Sequence, residues 1–255
     1  MYEPKNGHVW TLLDAIEDGN FKIVDALLKG GKIKEDDLNE GYGVPLGRAV
    51  MSAQTKIVQR LIDAGADVGK ATDSGETLLH LAIQNTQKTS NVPYMEYRNV
   101  AAVLIDAGAD MNAQTSSGTT PLIRAAALNC AAGLQLLIEK GADINLKNNR
   151  GETALHHASL PFHDAVVVHH LIKAGADLHA RDDRGQTALH VASGPYGWED
   201  TAIALVSAGA KIDVKDNNGM TPLMITQKYG NKDVEAVLLR ASDLGSPPAP
   251  PSPEP

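Results

Sequence analysis

Seven of the chain's nine histidines fall between positions 156 and 190: His156, His157, His163, His169, His170, His179 and His190. Imidazole is a common zinc ligand and titrates near neutral pH, so metal chemistry is the first reading to test. The spacing argues against it. Adjacent residues such as His169 and His170 diverge by about 100° on a helix, so they cannot both address one ion. No Cys-x-x-Cys or His-Glu-x-x-His accompanies them. Cys130 is the single cysteine, and nothing near it in sequence would activate a thiolate. The chain also has no glycine-rich phosphate loop and no nucleophile elbow. The expectation is a chain with no catalytic residues, no metal and no cofactor.

Composition narrows the partner class. The formal net charge is −8, and Lys and Arg form no dense run. Nucleic-acid binding draws on clustered cations that neutralise phosphates, so direct nucleic-acid binding is not expected. No stretch approaches the roughly 20 apolar residues of a membrane helix, and the polar start lacks an apolar secretory segment. A single cysteine permits no internal disulfide, which fits a reducing compartment. The cytoplasm is expected, with the nucleus as the alternative. Only ten residues are Phe, Trp or Tyr, so the core must be aliphatic and thin.

The elements that position all these residues are repeats. Leu61-Ile62-Asp63-Ala64-Gly65-Ala66-Asp67 recurs as Leu104-Ile105-Asp106-Ala107-Gly108-Ala109-Asp110, with variants ending near Gly141, Gly175 and Gly209. Those glycines are spaced 43, 33, 34 and 34 residues apart. A second motif keeps step: Gly75-Glu76-Thr77-Leu78-Leu79-His80, Gly118-Thr119-Thr120-Pro121-Leu122, Gly151-Glu152-Thr153-Ala154-Leu155-His156, Gly185-Gln186-Thr187-Ala188-Leu189-His190 and Gly219-Met220-Thr221-Pro222-Leu223. Thr caps a helix that opens with Pro or Ala, and Leu faces the core. A second helix follows, ended by a Gly able to turn left-handed. One such pair cannot hide its apolar side alone, whereas stacked pairs can.

This pattern resembles the ankyrin repeat, with its period of about 33 residues and its Thr-Pro-Leu-His opening. The resemblance implies an all-α solenoid of helix-turn-helix units with β-hairpin-like finger loops. Seven units are expected over residues 8–241, starting near 8, 39, 72, 115, 148, 182 and 216. The first and last are degenerate, with Trp10 standing where the capping Thr is expected. Residues 1–7 form an N-terminal extension and 242–255 a disordered proline-rich tail. In ankyrin-like repeats the consensus histidine, here His80, His156 and His190, hydrogen-bonds neighbouring backbone. The family also implies hydroxylation at Asn112 and Asn145, two positions past the Gly-Ala-Asp aspartate.

Departures from the period carry individuality. About ten extra residues lie within 85–99, expected as an extended loop presenting Tyr94, Met95 and Tyr97. Prolines 161 and 195 break two inner helices beside Phe162, Tyr196 and Trp198, and Tyr229 falls at the matching point of the last unit. Ankyrin-like proteins bind partners through the inner-helix surface and the fingertips. The resemblance therefore implies a monomeric, non-catalytic adaptor for a protein partner. The alternative is a nuclear regulator, an inhibitor or transcription coregulator, that masks a transcription-factor surface. The expected contact residues are Met51, Ser52, Gln84, Asn85, Leu128, Leu160, Phe162, Tyr196, Trp198, Lys228 and Tyr229. Asp73, Glu76, Arg150, Glu152, Arg184, Gln186 and Met220 join them at the loops.

Overall fold

The computed structural model describes residues 11–31, 33–39, 44–85, 94–161, 163 and 165–245. The chain divides into two compact units, one ending at Asn148 and the other beginning at Asn149. The first holds helices α1 (Leu12–Glu17), α2 (Phe21–Lys29), α3 (Glu35–Asn39), α4 (Val44–Met51), α5 (Thr55–Ile62), α6 (Leu78–Asn85), α7 (Tyr94–Asp106), α8 (Pro121–Ala127) and α9 (Ala131–Glu139). The second holds α10 (Ala154–Ala158), α11 (Ala165–Lys173), α12 (Ala188–Ala192), α13 (Glu199–Ser207), α14 (Pro222–Tyr229) and α15 (Lys232–Gly245).

Within each unit, inner helices stack on inner helices and outer on outer. In the first unit α1, α4, α6 and α8 pack in series, as do α2, α5, α7 and α9. In the second, α10, α12 and α14 form one row and α11, α13 and α15 the other. The cores are aliphatic, as the shortage of aromatics requires. Leu46, Leu79 and Leu122 on inner helices and Leu61, Leu104 and Leu137 on outer ones are essentially water-free in the first unit, as are Leu155, Leu189, Leu171 and Leu205 in the second. Each such leucine contributes about 1.5–3 kcal/mol by leaving water.

Every inner helix except α4 follows a threonine. Thr120 Oγ1 accepts the backbone N–H of Ile123 at 3.2 Å, and Thr221 Oγ1 that of Met224 at 3.3 Å, each with Pro at the first helical position. Where the third helical residue is His, the ring closes the cap from the other side. His80 Nδ1 accepts the N–H of Thr77 at 3.3 Å, and His156 and His190 accept from Thr153 and Thr187, each at 3.1 Å. A backbone N–H can only donate, so Nδ1 carries a lone pair and the proton sits on Nε2. That proton reaches the next finger: Nε2 of His80 donates to Thr119 O (3.0 Å), that of His156 to Gln186 O (3.0 Å) and that of His190 to Met220 O (3.2 Å). One neutral imidazole thus ties a helix start to the following repeat. Burial holds His80 and His190 below the ordinary histidine pKa, in keeping with that neutral form.

Outer helices end at glycine: Gly108 adopts φ +95°, letting Ala109 N–H reach Leu104 O at 2.9 Å. The fingers make the expected hairpin-like turns without an extended ladder. Among the described residues there is no strand, only an isolated antiparallel bridge between Ala71 and Thr77. The finger turns close by paired bonds: Thr72 N–H to Glu76 O (2.9 Å) with Gly75 N–H to Thr72 O (2.8 Å), and Asp216 N–H to Met220 O (2.9 Å) with Gly219 N–H to Asp216 O (3.0 Å). Arms this short leave no room for a ladder.

Three expectations are corrected, and one element is new. The first inner helix is capped by Thr11, in a reciprocal box with Asp14, so the cap lies one residue after Trp10. The inserted stretch is not an extended loop throughout, because its later part, from Tyr94, is the opening of helix α7. The short helix α3 had no counterpart in the repeat pattern. Finally, α15 continues to Gly245, past the expected end of the repeats at 241.

Candidate functional site

In the second unit the inner-helix row and its fingers enclose a groove of 450 Å³. Its floor is Val191 and Ile225, and its walls come from four turns. Leu160 and Pro161 follow the end of α10; Arg184 and Gln186 stand on one finger; Asn218 and Met220 stand on the next; Lys228 and Tyr229 end α14. Proline creates this relief. By stopping α10 at Ala158, it leaves Leu160 standing in solvent at 41% exposure rather than wound back into the stack. At the far wall Tyr229 is half in water, and Lys228 Nζ lies 5.3 Å from the centre of its ring.

The fingers bordering the groove are electrostatically braced. The Asp216 carboxylate is pulled below its ordinary pKa: burial opposes this, but N–H groups of Met220 and Asn218 and the amide of Gln186 outweigh it. Arg184 binds Asp182 at 3.0 Å, and its guanidinium lies 3.9 Å from Glu152. Glu152 also meets Arg150 (3.0 Å) and His157 (3.2 Å). Burial lowers the His157 pKa, partly offset by the Glu152 charge. Beside the groove, and sharing only Pro195 with it, is a second hollow built from Tyr196, Trp198 and the turn between α14 and α15.

In the first unit a smaller cleft of 180 Å³ lies between α4, α6 and the intervening finger. Met51, 58% exposed, borders it with Val44, Leu78 and Leu81. Glu76 borders it too, but its carboxylate is paired with Arg124, which also donates to Gln84 at 3.4 Å. The histidine concentration resolves into local bonds. His163 Nδ1 lies 3.0 Å from His157 O, His169 Nδ1 2.7 Å from Ala165 O and His170 Nδ1 2.8 Å from Val166 O. Among the described residues no three His, Cys, Asp or Glu side chains converge as a metal site. No described helix is long and apolar enough to cross a membrane.

Sequence models of the repeat decide the family. Models described as ankyrin repeats match residues 12–94 (three copies) and 104–158 and 137–192 (many copies), and the single ankyrin repeat matches 74–116 and 184–217. The chain belongs to the ankyrin-repeat family. Ankyrin repeats are in general non-catalytic modules that bind other proteins. Among solved structures the chain is similar to the ankyrin-repeat domain of Bcl-3, described as a unique member of the IκB protein family. The two share 28% identity with a TM-score of 0.74, over 92% of this chain and all of that one. No curated protein sequence matches the chain.

Set in this ankyrin frame, the expected contact residues divide. Leu160, Arg184, Gln186, Met220, Lys228 and Tyr229 meet in the groove, while Tyr196 and Trp198 line the neighbouring hollow. Met51, Ser52 and Asp73 are exposed on the first unit, and Leu128 is half-buried at the end of α8. Asn85 is a correction: it is buried at the end of α6 and presents nothing to a partner. Tyr97 is another, since it lies in the core. Glu76, Arg150 and Glu152 are engaged in the ion pairs described above. Phe162 lies outside the described residues. Asn112 and Asn145 are exposed, and Asn112 Oδ1 accepts the N–H of Asp143 at 3.0 Å. Sequence reasoning missed Pro161, Val191 and Ile225 in the groove. The prolines were visible as helix breakers, but only packing shows that they frame an opening.

Proposed function

We propose that this chain is a non-catalytic ankyrin adaptor that captures a protein partner in the groove of its second unit. The observation that carries the reading is that Leu160 from one repeat and Met220 and Tyr229 from the last line one opening, with Arg184 of the repeat between them and Lys228 at its edge. Apolar anchors within a polar rim are the anatomy of a protein interface, and Tyr and Arg are enriched among its strongest contributors. The expected occupant is a short segment with an apolar side chain seated between Leu160 and Tyr229.

The test is affinity capture with mass spectrometry, comparing the parent chain with a Leu160→Asp, Tyr229→Ala variant. Both side chains stand in solvent, so the melting curve should stay within a few degrees of the parent. The expected result is loss of specific partners with the fold intact. Recovery of the same partners by the variant would sink the proposal.

A second reading draws on the likeness to Bcl-3. In it the chain is a nuclear regulator that masks a transcription-factor surface, rather than a cytoplasmic adaptor. A tagged chain in cells separates the two. Cytoplasmic residence supports the adaptor, and nuclear accumulation that depends on a transcription-factor partner supports the regulator.

A further inference from the structure

The segment Pro195-Tyr196-Gly197-Trp198 borders a hollow of 610 Å³, faced by Gly230 to Asp233 at the turn between α14 and α15. Tyr196 is 64% and Trp198 46% exposed, although rings of this size contribute most when buried. The turn that carries them is built into one position. Asn231 Nδ2 donates to Gly194 O at 3.1 Å and to Gly197 O at 3.0 Å, and its Oδ1 accepts Val234 N–H at 3.3 Å. A Cβ on Gly197 would stand 1.6 Å from Ala192 O, so the backbone is pressed onto the end of α12. The charges around the rings are mainly acidic. Glu199, Asp200 and Asp233 border the hollow, while its lone cation, Lys232, is held by Glu235 at 2.7 Å.

We propose that this hollow receives a Lys or Arg side chain from an extended basic segment of a protein partner. A cation over an aromatic face is attracted by the ring quadrupole, and carboxylates at the rim add to the attraction. The acids occupy first turns of α13 and α15, where the helix dipole favours them. That accounts for their stability there but not for the aromatic surface of Tyr196 and Trp198 that stays exposed beside them. The chain's own segment 246–255 is rich in proline, which suits aromatic surfaces. It contains Glu254 and no Lys or Arg, so this rim repels it. The proposal rests on reading the chain as a protein-interaction module and adds a second contact point with its own chemistry.

Trp10 and Trp198 are the two tryptophans, so the full chain carrying Trp10→Phe reports on Trp198 alone. Its fluorescence is titrated with a glycine-serine peptide bearing one Arg and one Lys, the same peptide with Glu at both places, and a peptide of residues 246–255. The basic peptide should give a saturable change that weakens as salt is raised. Tyr196→Ala, and separately Glu199→Gln with Asp233→Asn, should lower its affinity by about 2- to 30-fold. Tyr229→Ala, in the neighbouring groove, should leave it unchanged. The salt dependence is read on the Trp10→Phe chain alone, so a further variant that fails to fold does not void the test. A flat titration with the basic peptide overturns the proposal, as does an equal response to the Glu peptide or to 246–255. The groove reading is judged separately, by whether the Leu160→Asp, Tyr229→Ala variant loses its partners.

Discussion

The hydroxyl of Tyr97 donates to the backbone carbonyl of Met51 at 2.8 Å, across 46 positions of sequence. Tyr97 is 4% exposed and is the one Phe, Tyr or Trp in the core among the described residues. The lengthened repeat therefore spends its tyrosine on the stack, joining α7 to the end of α4. Tyr97→Phe removes one hydrogen bond and should cost about 0.5–1.5 kcal/mol. Tyr97→Ala leaves a cavity as well and should cost about 3–5 kcal/mol. Urea unfolding of both variants checks the order, and an Ala variant no worse than Phe would contradict the buried placement.

Acid should loosen the protein before it protonates any carboxylate. Burial holds His80, His157, His163 and His190 below the ordinary value of 6.5. Their unfolded counterparts take up protons as pH falls through 6.5, while the folded rings stay neutral. Stability is therefore full above that value and declines as pH drops from 6.5 toward the lower folded values. Melting temperature measured from neutral pH to about pH 5 should fall steadily, with part of the slope removed by His163→Gln. A flat profile over that window would refute the neutral, buried rings.

The Glu76–Arg124 pair links a finger to the next inner helix, and each side chain is about three-quarters hidden. Glu76 Oε2 and Arg124 Nε are buried without a hydrogen-bond partner among the described residues. Removing one partner leaves the other charge short of solvent. Glu76→Gln and Arg124→Met should each destabilise by about 1–3 kcal/mol. The double variant should cost less than the two added together, with a coupling of about 0.5–3 kcal/mol. Strictly additive losses would mean the pair contributes nothing as a pair.

Much of this protein was legible in one line of text, because a repeat states its fold several times over. The Gly-Ala-Asp and Thr-x-Leu motifs located the helix pairs and their caps, since these depend on residues within a few positions of each other or one period apart; the ankyrin resemblance implied the histidine links. Errors fell where the period failed. The first repeat lacks a clean motif, which puts Trp10 at the expected cap position although Thr11 fills it. The polar residues of 85–99 suggest a loop and conceal the helix starting at Tyr94.

The amino-acid sequence alone determined the stacked helix pairs and the aliphatic core, while the neutral form of His80, His156 and His190 emerged from their bonds in the fold. Only tertiary structure decided which of the polar and aromatic exceptions face water. Tyr97 and Tyr196 look equally available in sequence, yet one is locked in the core and the other stands beside Trp198 in an acidic hollow. The physical reason is that exposure depends on what a neighbouring repeat places over a residue. Asn231 sets the aromatic turn from more than 30 residues away, and no local pattern encodes that reach.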